Sequence, residues 1–135
     1  MEHLAFGSDL GLSAFCQRLQ KALNLPEFAL DGENEAEWAS VEVDNVEYNI
    51  SKPYKPGKLR DWDRTVPSGC NYGIALIVYR EHLHGYQHEW ALNDLVVPIG
   101  QKIADEFQIA VYYHRTWLGP GQNIEQKLVF HPSGT

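Results

Sequence analysis

The chain has 135 residues, 44% of them hydrophobic, enough for one domain whose core needs neither disulfides nor metals. No apolar run approaches the ~18 residues of a membrane helix, and the opening MEHLAFGSDLGLS lacks the basic-then-apolar pattern of a signal peptide, so a cytoplasmic protein is expected. The net charge of −7 argues against nucleic acid as a partner.

A short strand, His3–Phe6, opens the chain. Leu12, Phe15, Cys16, Leu19, Ala22 and Leu23 then recur at helical spacing. They predict a helix over about 9–24, capped by Ser8 or Asp9 and ended by Asn24 with Pro26. Cys16 falls on its apolar face. With Cys70 it makes only two cysteines, read as reduced thiols rather than a disulfide framework.

From Ala22 to Ser51 there are eight acids (Glu27, Asp31, Glu33, Glu35, Glu37, Glu42, Asp44 and Glu47) and no Lys or Arg. This block carries the whole negative excess. Its field suits a basic protein and repels phosphate; a solvated edge that only aids solubility is the structural alternative. Within it, residues 38–50 read as a hairpin turning at Asp44-Asn45. Val43 then faces Val46, Val41 faces Tyr48, and Ala39 faces Ile50. Glu42 faces Glu47, a like-charge pair that asks for a cation from a partner or from the loop that follows.

That loop, Ser51 to Gly73, is too irregular for a helix or a strand. It reverses sign, with Lys52, Lys55, Lys58, Arg60 and Arg64 against Asp61 and Asp63. Asp61-Trp62-Asp63 joins an aromatic anchor to two charges, the composition of an interface hot spot, unless Trp62 folds back beneath its own loop. Tyr72–Arg80 predicts a central strand buried on both faces or nearly so. His82, His84, His88 and Glu89 carry donors that suit zinc. Their spacing echoes the cupin metal motif, but the segment precedes a helix and lacks the flanking glycines, so no metal or other cofactor is expected.

Val96, Ile99, Ile103 and Phe107 share a helical face, which places a helix at about 94–107. Pro98 fits it poorly, unless Asn93 caps a kinked helix or Pro98 is the first residue. Residues 109–117 form a strand with Tyr112 and His114 on one side and Tyr113 and Arg115 on the other. His114 and Arg115 either floor a small enzyme's pocket closed by loop 51–71, or pair structurally with Glu42, Glu47, Asp61 or Asp63. A Cys70–His114 nucleophile pair is conceivable, but Cys70 lies where packing is expected. Gly-x-Ser-x-Gly, P-loop and dinucleotide signatures are absent. After a turn at Gly119-Pro120-Gly121, Gln126–His131 is an edge strand able to pair with its twin in a homodimer. The order predicts one α+β domain over residues 1–135, a mostly antiparallel sheet with two helices packed on one face.

The acidic hairpin ENEAEWASVEVDNVEYNI, the loop PYKPGKLRDWDRTVPSGCNYG and the closing ADEFQIAVYYHRTWLG together resemble immunity proteins of bacterial polymorphic toxin and contact-dependent inhibition systems. The resemblance spans most of the chain and transfers no individual residue. It implies a small cytoplasmic protein that binds and blocks one cognate toxin domain, without catalysis; the acidic block and the lack of a long apolar run are what argue against nucleic-acid and membrane partners. An acidic inhibitor suits a basic nuclease. From the residues themselves, Glu33, Glu35, Glu37, Glu42 and Glu47 are expected to steer the partner, and Asp61, Trp62 and Asp63 to anchor it.

Overall fold

Alternation in the first strand sets the layers. In β1 (Glu2–Phe6) the side chains of Glu2, Leu4 and Phe6 go to one face and are at most 1% exposed, while His3 and Ala5 go to the other. A computed structural model describes residues 2–33, 35–55, 57–78, 86–119 and 121–133. After β1 come α1 (Leu12–Leu23), β2 (Ala29–Gly32), β3 (Ala36–Val43), β4 (Val46–Pro53), α2 (Lys58–Trp62), β5 (Tyr72–Val78), α3 (Tyr86–Phe107), β6 (Val111–Gly119) and β7 (Gln122–Phe130). The strands form a seven-stranded sheet in the order β2-β3-β4-β5-β1-β6-β7, antiparallel at every described pairing. The protein is thus an α+β single domain on a mostly antiparallel sheet.

The β3–β4 hairpin follows the expected register, with Val43 opposite Val46, Val41 opposite Tyr48 and Ala39 opposite Ile50. Asp44 and Asn45 both adopt positive φ (54° and 64°), as the tight two-residue turn demands. β2 was not foreseen. Its four residues, ALDG, are all exposed and show no alternation, so only the ladder to β3 makes them a strand.

α1 and α3 pack together on the face of Leu4 and Phe6, which becomes the main core. Phe15 is its keystone. Its ring stacks on Phe6, Tyr72 and Phe107 at centroid distances of 5.1, 4.8 and 4.3 Å, so one side chain joins α1 to β1, β5 and α3. Arg18 lies 4.6 Å over the Phe107 ring and donates to the Glu106 carbonyl at 2.6 Å, tying the two helices at the surface. α1 ends at Asn24, as expected, and that residue adopts the left-handed conformation. Its start differs: the N-cap is Gly11, without a side-chain cap bond. The Ser8 hydroxyl is occupied locally by the Leu10 N–H at 3.2 Å.

Three further expectations are corrected. α3 begins at Tyr86 and runs through Pro98, rather than starting near residue 94 or at the proline. Pro98 is exposed, while Val96, Ile99 and Ile103 beside it are buried. β5 is buried on one face only. Tyr72, Ile74 and Leu76 enter the core, whereas Gly73, Ala75 and Ile77 are half-exposed on the other side. The loop after β4 holds the short helix α2, on the sheet face opposite α1 and α3. There Leu59, Val66 and Cys70 form a second, smaller cluster with Ala5.

Candidate functional site

The 57–71 loop is fixed at both ends by backbone geometry. Gly57, at φ 81°, turns the chain into α2, and Leu59 plants the helix on the sheet. At the far end Asn71 bonds three times to the chain leaving β1. Its N–H donates to the Phe6 carbonyl (3.0 Å), its Nδ2 to the Ser8 carbonyl (2.8 Å), and its Oδ1 accepts from the Ser8 N–H (2.8 Å). Gly7 lies so close that an added Cβ would sit 2.6 Å from the Gly69 carbonyl oxygen. The loop is therefore a built part of the fold.

Between this loop and the sheet is a cleft of about 240 Å³. Its floor follows from strand register: Ser51 of β4, Gly73 of β5, Ala5 of β1 and Tyr112 of β6 are consecutive neighbours across the sheet. Ala75, His3 and His114 also line it. The roof is Leu59, Trp62, Val66 and Pro67. Asp63 and Thr65 complete the rim. Burial pushes the Asp63 carboxyl up, but bonds from the Thr65 hydroxyl (2.6 Å) and N–H (3.0 Å), with His3 and His114 nearby, outweigh it. Asp63 is held below the usual carboxylate range and stays ionised at neutral pH. A wider depression of about 670 Å³ lies where Asp9, Arg18, Arg60 and Asp61 meet; its signs balance, and Arg18 is already committed to Glu106.

Trp62 is 46% exposed, so it neither stands free nor plugs the loop: one part roofs the cleft and the rest meets solvent. Asp61 and Asp63 beside it are exposed. The glutamates do not share one surface. Glu33 and Glu35 are exposed at the turn from β2 to β3. Glu37 is half-buried on the helix side, 3.8 Å from Lys52 Nζ. Glu42 and Glu47 face each other on the cleft side at the other end of the hairpin. Glu42 is seven positions beyond Glu35 along extended chain, about 23 Å.

The expected partners of Arg115 are corrected. Adjacent strand residues point to opposite faces, so His114 lines the cleft while Arg115 enters the helix side and pairs with Glu2. Glu2, fully buried, also accepts from the Tyr113 hydroxyl. Burial and this carboxylate push the Tyr113 phenol up. His114 Nε2 lies 3.8 Å from Glu125, which Lys127 also contacts at 3.0 Å. Nothing in the sequence marks Glu2 or His3, because two residues at the start of a short strand show no pattern.

Neither cysteine is set up as a nucleophile. Burial pushes Cys70 up, and burial with the Glu37 charge pushes Cys16 up to about 11. His82 and His84 lie outside the described residues, and of His88 and Glu89 only their place in α3 is described. Among the described residues no group of three His, Cys, Asp or Glu side chains is arranged to hold a metal ion. Among the described residues no helix is long and apolar enough to cross a membrane. No protein-family model, curated protein or solved structure matches the chain.

Proposed function

We propose that this chain is a non-catalytic binding protein that neutralises a cognate bacterial toxin domain, in the manner of an immunity protein. The observation that carries the reading is Trp62: a large aromatic side chain 46% exposed, on a firmly seated helix, between two exposed carboxylates. Such a residue is costly to leave in water and gains most when a partner covers it. The edge strand β2 adds to the reading. All four of its residues are exposed, Leu30 to 50%, and Asp31, Glu33 and Glu35 surround it. A free edge offers main-chain donors and acceptors to a partner's strand. With a net charge of −7, the natural partner is basic, such as a nuclease domain met in the cytoplasm.

The partner is sought as the protein that co-purifies with the tagged chain from its own host, or that is encoded beside it. With that partner, the association rate should fall at least tenfold between roughly 50 and 300 mM salt, as steering is screened. Trp62→Ala should weaken the complex by about 2 kcal/mol, roughly 30-fold, while lowering the melting temperature only a little, since about half of the side chain already meets solvent. A rate indifferent to salt removes the steering, and full-strength binding by the Trp62 variant removes the anchor.

A small enzyme is the second reading, favoured by the convergence of Asp63, His3 and His114 on one cleft. Arg115 no longer belongs to it. Substituting His3 and His114 singly by Ala tests it: a variant that folds, still binds the partner, yet loses a cellular activity supports catalysis. Pairing of two chains through the β7 edge is a separate proposal, which light scattering decides.

A further inference from the structure

Glycine is unfavourable inside a strand, and its presence there often marks something approaching the sheet. Gly73 sits in β5 with strands on both sides. A Cβ built on it would meet a Leu59 methyl at 3.5 Å, ordinary contact, so packing alone does not demand glycine. The missing side chain is space in the cleft. That space has an apolar body, from Leu59, Val66 and Pro67 over Ala5 and Ala75. Its mouth holds an ionised carboxylate and a partly exposed indole.

Asp63 uses Oδ1 for both Thr65 bonds; among the described residues nothing donates to Oδ2. No Lys or Arg is among the described residues that line the cleft. The matching chemistry is a flexible apolar stem ending in a planar cation. A guanidinium stacks on an indole face and donates to a carboxylate, and its methylene stem lies well on apolar surface. At about 240 Å³ the cleft exceeds the ~150 Å³ that admits a benzene ring, so side-chain size is no obstacle. Anionic ligands meet Asp63 and the nearby Glu125 instead.

We propose that the cleft beneath α2 is a socket for an arginine side chain of the protein partner, with the guanidinium held between Trp62 and Asp63. The identity of the occupant rests on the binding-protein reading; the preference for a cation rests on the cleft alone.

The test is a ¹H–¹⁵N NMR titration of the full chain with N-acetyl-arginine N-methylamide, and with the citrulline counterpart, which keeps the shape and loses the charge. The arginine probe should shift the amides of Ala5, Gly73 and Ala75 and the Trp62 indole N–H, saturating at millimolar concentration. The citrulline probe should bind at least tenfold more weakly. Asp63→Asn, which keeps an oxygen for Thr65, should erase that difference. Gly73→Val should abolish both titrations by filling the floor; if it fails to fold, Trp62→Ala, on the surface, takes its place. Equal binding of the two probes, absence of saturable shifts, or shifts gathered at Glu33 and Glu35 would each overturn the socket. Failures separate cleanly. A captured partner whose affinity ignores Asp63→Asn leaves the binding reading standing and removes the socket. Arginine-selective binding in a chain that captures no protein leaves the cation site standing and removes the partner.

Discussion

The second residue carries a buried carboxylate, which among the described residues is the one charged side chain fully removed from water. Glu2 is 1% exposed and is held by Arg115 and Tyr113. Glu2→Ala takes the buried counter-ion from Arg115 and the acceptor from the Tyr113 hydroxyl together, so it should cost about 3 kcal/mol. Tyr113→Phe removes a hydrogen bond alone and should cost about 1–2 kcal/mol. Chemical denaturation of the two variants measures the ratio, and equal losses would show that the charge matters no more than the hydroxyl. Gly73 is expected to behave in the opposite way. Gly73→Ala should raise stability by about 0.5–1 kcal/mol, since a strand favours alanine and the added methyl finds ordinary contact. A destabilised Gly73→Ala protein would show that the roof cannot give even that much room.

Proline inside α3 makes a prediction about an element. Pro98 lacks the N–H that would bond back to the carbonyl of residue 94, and it is exposed, so its ring serves no core contact. Pro98→Ala should therefore stabilise the protein by about 1 kcal/mol or more, read as a higher melting temperature. The same helix shows where sequence reasoning stops. The heptad-like spacing from Val96 to Phe107 was legible, but the proline suggested a boundary that the core overrode. The hairpin was legible to the residue, because Asp44-Asn45 fixes the turn and the pairs Val43/Val46, Val41/Tyr48 and Ala39/Ile50 then fall on one side, with Trp38 on the other. β2 and α2 were not, being four and five residues long with no period to detect. The cleft was half legible. Loop 51–71 and His114 were placed together correctly, yet Arg115 was drawn in with them although strand alternation sends it to the other face.

For the molecule as a whole, charge ties stability to pH. Asp63 is held low by Thr65 once burial is overcome, and Asp105 by the Ser133 N–H and hydroxyl and the Gln101 amide. In the unfolded chain both take up a proton near 3.8; in the folded one they do so only at lower pH. Protons thus bind the unfolded state first, and stability present above about pH 5 is lost as acid passes through the folded values. Melting temperatures from pH 6 to 2.5 should fall less steeply for Asp63→Asn combined with Asp105→Asn than for the unaltered chain; parallel curves would remove these two groups from the account. The two thiols offer a different use. Cys16 lies in the main core and Cys70 in the small cluster under α2, and both are buried. Neither reacts until its surroundings open, so each is a clock for one layer. A thiol reagent should label Cys70 well before Cys16, because lifting one loop disrupts far fewer contacts than parting two helices from a sheet. The interval between the two labelling times would measure how far the cleft can open while the rest of the protein stays folded.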